Sequence, residues 1–316
     1  MSDKTMKAVR YHEHGGPEVL KFEDAPIPEP GPDEVLIRVA ASTVNPADAL
    51  LRSGFTRGMQ IPLPMIPGME YSGIIEKCPD GHFKQGEKVI AFPDKLKAGG
   101  CAEYAVTKSA YVGPAPKSIP LTDAAAYPAV ATTAWQALFV HGDLKTGQRI
   151  LITNAAGGVG AIAVQLAKWK GAYVIGTASE RSFTVLKSFG VDEIIDYKNE
   201  KTTAKLTEKV DFIFNMSPVS QEEVTDLLPL VKEGGTFISG VMPADEDLAK
   251  QLGVAYTRMA TMQTSDFFNS VTELIDSGLL KLHIAERYPL KELSKAHEKV
   301  GSVSGRMLII VNSDLG

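Results

Sequence analysis

The stretch Arg149-Ile150-Leu151-Ile152-Thr153-Asn154-Ala155-Ala156-Gly157-Gly158-Val159-Gly160 constrains this chain more than any other. It opens with a short apolar, β-branched run, the pattern of a buried strand. Small residues follow, with no side chains to hold the backbone away from a ligand. Val159, Ile162, Ala163, Leu166 and Ala167 then recur at helical spacing, so the turn opens a helix. The first N–H groups of such a helix have no partner inside it and face whatever anion lies before them. Ala155, Gly157 and Gly160 fill the three small positions of the G-x-G-x-x-G pattern, with alanine at the first. Strand, turn and helix together describe the phosphate-binding corner of a dinucleotide fold. The alternative is a tight strand-to-helix turn that binds nothing.

The residues downstream favour the first. Ala172-Tyr173-Val174-Ile175-Gly176-Thr177 is a second strand about twenty residues past the turn, where the pattern requires one. Residues 183–189 are helical, Gly190 ends them, and 192–196, 210–215 and 235–240 are three further strands. Strands alternating with helices predict a parallel, doubly wound sheet. The amino-terminal part has a different texture. Pro26, Pro28, Pro30, Gly31 and Pro32 form an extended connector, and short strands at 7–10, 34–40 (alternating polar and apolar), 88–92 and 102–106, with a proline–glycine corner at 66–76 running into another strand, predict a compact, barrel-like β domain. Helical signals begin at Asp123, and 124–138 is nearly all small and apolar. Helices at 267–275 and 293–300 and a strand at 306–311 close the chain. The expected domains are 1–121 with 262–316, and 122–261.

With 316 residues the chain has room for two large cores. Its net charge of −5, without a stripe of lysines and arginines, argues against nucleic acid. No apolar run is long enough to span a membrane, and residues 1–10 are charged and lack the apolar core of a secretory signal. Cys78 and Cys101 are expected as free thiols in a reducing cytosol. A cytoplasmic location is the expectation.

The order of motifs resembles the medium-chain dehydrogenase/reductase superfamily, within it the zinc-free quinone oxidoreductase, or zeta-crystallin-like, branch. The matching pieces are Met6-Lys7-Ala8-Val9, Gly15-Gly16-Pro17-Glu18-Val19-Leu20, Asn45-Pro46-Ala47-Asp48 and Arg52-Ser53-Gly54. Next come Pro67-Gly68-Met69-Glu70-Tyr71-Ser72-Gly73, Gly86-Glu87-Lys88-Val89 and Thr132-Thr133-Ala134-Trp135-Gln136-Ala137-Leu138. The glycine turn, Ala296-His297 and Gly305-Arg306 complete the set. The resemblance implies an α/β protein, with a GroES-like β-rich catalytic domain, a Rossmann domain and an active-site cleft between them. It also implies a homodimer, joined through an edge strand at Val254-Ala255-Tyr256-Thr257-Arg258.

Zinc members of the superfamily hold their metal with nitrogen and sulfur ligands. Here those positions fall on Asn45, Met69 and near Ala129, the structural-zinc lobe is absent, and the six histidines are scattered. No metal is expected, so hydride transfer should be to an acceptor already electron-poor, a quinone or an α,β-unsaturated carbonyl. An NAD site places a carboxylate at the end of the second strand. Ala178 stands there, followed by Ser179, Glu180 and Arg181, which favours NADP(H), since arginine can fork onto phosphate oxygens. Tyr197 matches a family tyrosine near the adenosine ribose. The turn residues Ala156, Gly157, Gly158 and Val159, with Thr177, are expected to bind the cofactor.

By resemblance, Asn45, Thr133, Ser239, Gly240 and Val241 surround the nicotinamide. Thr133 equally fits a plain helix residue bonded to its own backbone. Leu50 replaces the tyrosine that many relatives carry toward the substrate. Tyr71 is a candidate substitute as proton donor, and equally fits a buried core tyrosine. Two other functions stay open. An enoyl-thioester reductase would want a basic patch for a phosphorylated carrier, of which Lys95 and Lys97 are the only hint; a non-catalytic NADPH-binding protein would need no acceptor.

Overall fold

Proline and glycine cut the first third of the chain into short strands in the computed structural model, which describes residues 5–55, 58, 60–94, 97 and 99–316. β1 (Thr5–Arg10) and β2 (Lys21–Pro26) form an antiparallel pair. β3 (Glu34–Thr43) follows the proline connector, and α1 (Pro46–Arg52) starts directly behind it. Pro46 takes the first helical position, where a missing N–H leaves nothing unpaired. β4 (Tyr71–Lys77) and β6 (Tyr104–Lys108) both pair antiparallel with β3, while β5 (Lys88–Ala91) pairs with β4 and β7 (Val112–Pro114) with β5. α2 (Leu121–Ala124) and α3 (Pro128–Trp135) occupy the small apolar stretch. Pro128 splits what composition predicts as one helix, because it cannot donate to the preceding turn. A π-helical turn, Gln136–His141, extends α3.

Strand and helix then alternate. The strands are β8 (Arg149–Ile152), β9 (Tyr173–Ala178), β10 (Glu193–Asp196), β11 (Val210–Asn215), β12 (Val231–Ser239) and β13 (Ala255–Arg258). The helices between them are α4 (Gly158–Trp169), α5 (Phe183–Ser188), α6 (Thr202–Lys205), α7 (Gln221–Thr225) and α8 (Glu246–Gln251). All six strands are parallel, in the order β10-β9-β8-β11-β12-β13. The order reverses between β8 and β11, the switch point at which open α/β sheets bind ligands. Leu151, Ile175, Ile195, Ile213 and Phe237 put one residue from each of five strands into a single buried cluster. Fully burying a side chain of this size contributes about 1.5–3 kcal/mol.

α9 (Phe268–Asp276), β14 (Ile284–Pro289), α10 (Leu293–Glu298) and β15 (Arg306–Ile310) close the chain. β15 inserts between β14 and β3, giving a seven-stranded sheet. Contacts divide the chain into two compact units. Unit 1 is Met1–Ala129, Gln263–Ser277 and His283–Gly316; unit 2 is Val130–Met262 and Gly278–Leu282. The segment after 121 stays with unit 1 because α2 packs on β3 and β4. Two buried glutamines fasten loops within unit 2. Gln136 exchanges two hydrogen bonds with the backbone of Met262, and Gln165 does the same with Lys281. Among the described residues no helix is long and apolar enough to cross a membrane.

Candidate cofactor and active site

The turn after β8 begins at Asn154, whose φ of +51° lies in the left-handed region that asparagine tolerates. Its N–H donates to Thr177 Oγ1 at 3.1 Å, and its side-chain Nδ2 donates to the Met216 carbonyl at 3.2 Å. The helix must pass very close to this turn. A Cβ on Gly160 would lie 2.2 Å from the Asn154 carbonyl oxygen, so glycine is required for the backbone to fit. α4 then starts with Gly158, Val159 and Gly160, whose N–H groups precede any intrahelical acceptor. Ala156, Gly157, Gly158 and Val159 are all half-buried, so this backbone can be reached by a phosphate. Thr177 lies beneath the turn and shapes it.

A buried hydrogen-bonded chain joins the carboxyl ends of β8, β11 and β12. Thr153 Oγ1 donates to Asn215 Oδ1 at 2.6 Å, Asn215 Nδ2 donates to Ser239 Oγ at 3.0 Å, and Ser239 Oγ donates to the Met242 carbonyl. Thr153 Oγ1 also accepts the N–H groups of Met216 and Ser217 at 2.9 and 3.1 Å. Ser239 is therefore occupied inside the fold, and its carbonyl accepts from Met259 N–H. The Gly240 N–H is engaged by the Asn215 carbonyl. Of the three residues expected at the nicotinamide, Ser239 thus has its hydroxyl and its carbonyl engaged within the fold, and Gly240 its N–H. Thr133 Oγ1 lies 3.0 Å from Thr261 Oγ1, in the same unit.

At the end of β9, Ala178 and Ser179 are buried and Arg181 is exposed. Arg181 makes no ion pair or side-chain hydrogen bond among the described residues. Tyr197, just past β10, is 55 % exposed.

In unit 1, Asn45 forms the entry to α1. Asp48, one turn on, accepts the Asn45 N–H at 2.9 Å and the Gly68 N–H at 3.1 Å, tying helix to proline–glycine corner. Burial raises the Asp48 carboxyl to about 6, against the pull of those two backbone bonds. The Asn45 side chain turns toward Thr43, Glu70 and Arg306, all buried. Nδ2 donates to Glu70 Oε1 at 3.0 Å and to Thr43 Oγ1 at 3.1 Å, and Oδ1 accepts from Arg306 Nη1 at 3.0 Å. Glu70 Oε1 forms an ion pair with Arg306 Nη2, while its Oε2 accepts the Ala129 N–H at 2.7 Å.

Glu70 thus bonds to two of the three positions that would carry zinc in metal-dependent relatives, Asn45 and Ala129, and directly follows the third, Met69. Among the described residues no three His, Cys, Asp or Glu side chains converge as a metal site requires. Tyr71 belongs to the core cluster with Val39, Ile75 and Val89 and is fully buried, which pushes its phenol above the usual range. Its hydroxyl is out of reach of a reactant, so the proton-donor expectation for Tyr71 is corrected. Leu50 is 45 % exposed on α1. Lys97 is paired with Glu34 at 3.0 Å, and Lys95 lies outside the described residues.

Residues 31–117 match the alcohol dehydrogenase GroES-like domain, and residues 189–306 match a domain described as zinc-binding dehydrogenase. The quinone oxidoreductase of Rattus norvegicus is 32 % identical over 323 residues, covering 96 % of both chains. The solved quinone oxidoreductase from Coxiella burnetii superposes with a TM-score of 0.88 at 28 % identity, over 98 % of this chain and 100 % of that one. The Escherichia coli quinone oxidoreductase complexed with NADPH gives 0.86 at 26 % identity, over 96 % and 100 %.

Proposed function

Because the chain belongs to the quinone oxidoreductase branch of the medium-chain dehydrogenase/reductase superfamily, we propose that it is an NADPH-dependent oxidoreductase delivering a hydride to a quinone or an α,β-unsaturated carbonyl without a metal ion. A nicotinamide cofactor is common to this branch. The observation that carries the metal-free reading is the closed cluster of Asn45, Thr43, Glu70 and Arg306. Its amide, hydroxyl and ion pair satisfy one another, and neither Met69 nor Ala129 offers a nitrogen or charged ligand. The choice of NADPH rests on Ala178, where a carboxylate would repel a 2′-phosphate, and on the unpaired Arg181 beside it.

The residues fit such a cofactor. The N–H groups at the start of α4 would hold its pyrophosphate, and Ser179, Arg181 and Tyr197 its 2′-phosphate. Thr133, the Gly240 carbonyl and the Val241 backbone would hold its nicotinamide end. When bound, the reduced nicotinamide supplies the hydride. Negative charge then builds on the acceptor's oxygen. In this reading the acceptor's final proton is taken from solvent, and no side chain is assigned as the acid.

The test is NADPH oxidation, followed by absorbance, against quinones, enones and enoyl thioesters after dialysis against a chelator. Turnover with quinones or enones is expected. Turnover confined to enoyl thioesters, or absent with every acceptor while NADPH still binds, would replace this function with one of its alternatives.

A further inference from the structure

The hydrogen bonds that join the carboxyl ends of β8, β11 and β12 can run in one direction only. Thr153 Oγ1 accepts the N–H groups of Met216 and Ser217, so its own single hydrogen must go to Asn215 Oδ1, 2.6 Å away. The Ser217 N–H is shared with that same Oδ1, at 3.2 Å. Asn215 Nδ2 therefore lies on the far side of the amide, where it donates to Ser239 Oγ at 3.0 Å. The Ser239 hydroxyl, already receiving one hydrogen, gives its own to the Met242 carbonyl. Turning the amide over would set its NH2 against the Thr153 hydrogen and the Ser217 N–H. Groups that only donate stand at one end of the line, and a carbonyl that only accepts stands at the other. Thr153, Asn215 and Ser239 are all buried, where an unmade bond costs most.

Each end of this line is attached to backbone that faces a different part of the cofactor. Thr153 directly precedes Asn154, which opens the glycine turn before α4 and itself donates to the Met216 carbonyl. At the other end, residues 240–242 form the loop after β12. The Asn215 carbonyl pins the Gly240 N–H at 3.0 Å, and the Ser239 hydroxyl pins the Met242 carbonyl. Pro243 has no N–H to add a third pin. The two peptide groups between the pins, Gly240–Val241 and Val241–Met242, bond to nothing else among the described residues. Their position is thus set by Asn215 and Ser239, and the amide of Asn215 is set in turn by Thr153. The line crosses the sheet at its switch point, between β8 and β11, and every residue in it belongs to unit 2.

We propose that Thr153, Asn215 and Ser239 are positioning residues whose one-way line of hydrogen bonds fixes the loop 240–242 against the glycine turn, and so sets where the nicotinamide end of the cofactor is held relative to its pyrophosphate. This rests on the cofactor binding proposed above. The three side chains act through the backbone they hold and touch no part of the cofactor. Breaking the line should therefore loosen one end of the cofactor and leave the other end's affinity as it is.

The experiment measures binding by calorimetry in the native chain, Ser239→Ala, Thr153→Val, their double variant and Thr153→Ser. Two probes are compared: NADPH, and 2′-phospho-ADP-ribose, the same nucleotide without its nicotinamide ring. Ser239→Ala should weaken NADPH about three- to tenfold, the worth of one neutral hydrogen bond, and the ring-free nucleotide less than about twofold. Thr153→Val keeps the shape, removes the hydroxyl and should act the same way from the opposite end. The double variant should fall within about twofold of the weaker single one, because both changes break one line. Thr153→Ser restores the hydroxyl and should bind both probes as the native chain does. A side chain that served only the fold would weaken both probes alike. Each hydroxyl removed leaves a buried group unpaired, so a readout on the free native chain carries the test if the variants do not fold. The amide hydrogens of Met216 and Ser217, held by Thr153, should exchange with solvent at least about tenfold more slowly than that of Val241, by NMR, before any cofactor is added. Equal losses for the two probes, additive losses in the double variant, unchanged NADPH affinity in Ser239→Ala, or exchange at Met216 and Ser217 as fast as at Val241 would overturn the proposal. A native chain that binds NADPH with this selectivity among its variants, yet reduces no quinone or enone, would overturn the reductase function and leave the positioning standing.

Discussion

Charge at two neighbouring positions separates the two nicotinamide cofactors. A phosphate monoester carries close to two negative charges at neutral pH, and the exposed Arg181 has no competing partner among the described residues. Arg181→Ala should weaken NADPH about tenfold to a hundredfold and leave NADH nearly unchanged. Ala178→Asp should do more, since it adds an acceptor for the ribose hydroxyls of NADH and a like charge against the phosphate. The ratio of kcat/KM for the two cofactors, in the native chain and both variants, measures this. A native chain that already prefers NADH, or an Arg181→Ala variant that loses both equally, would refute it. Residues of this kind are legible in sequence because backbone clearance and charge act locally there. Gly160 and Ala178 could be read from their immediate neighbours. Glu70 and Arg306 could not, being 236 positions apart and paired only once β15 lies beside β3. Thr153 and Asn215 look like ordinary strand ends until the sheet places them side by side. Nothing local to Ser239 reveals that Asn215 and Met242 hold its hydroxyl.

Among the elements, β13 is one of the two edges of the six-stranded sheet, pairing with β12 alone, as β10 at the other edge pairs with β9. A sheet edge with free N–H and C=O groups invites another strand. A second copy brought up across a two-fold axis would extend the six-stranded sheet through Ala255–Arg258. Light scattering at micromolar concentration should give twice the 34.0 kDa chain mass; a monomer mass would exclude this pairing. β8, β9, β10 and β11 of unit 2 are legible in sequence as short apolar runs between turns and helices, whereas β13, Ala-Tyr-Thr-Arg, is expected only by resemblance. β11 falls where expected, whereas β12 begins earlier, at Val231, since it accommodates Gly234 with a positive φ of 76°. β2 and β14 were missed. Both carry charged residues and end in proline, and only pairing with β1 and β15 makes them strands.

For the molecule as a whole, two buried groups impose opposite pH slopes on stability. Burial lifts Asp48 from 3.8 to about 6, so the folded chain takes up its proton first and stability falls as pH rises through that interval. Burial, with Arg52 adding its charge, lowers His297 from 6.5 to about 4, so the unfolded chain takes up that proton first and stability falls as pH drops through that interval. Each contributes up to about 3 kcal/mol over its interval, and where the intervals overlap the two nearly cancel. His297→Gln should therefore shift the urea midpoint upward as pH falls from 6 to 4.5, relative to the native chain, and Asp48→Asn should shift it downward. Parallel profiles for all three proteins would show that neither group titrates as its burial demands. The placement of β15 also bears on how the protein is made. Nearly all of unit 2 is one continuous segment, whereas unit 1 draws on both ends of the chain. During synthesis unit 2 has almost all its residues in hand while β3 still shows an open edge at Ala41, Ser42 and Thr43, the residues that β15 later covers. Until residue 306 leaves the ribosome, Glu70 has no counter-charge. The last strand to emerge is thus the one that both seals the sheet and completes the cluster around Asn45.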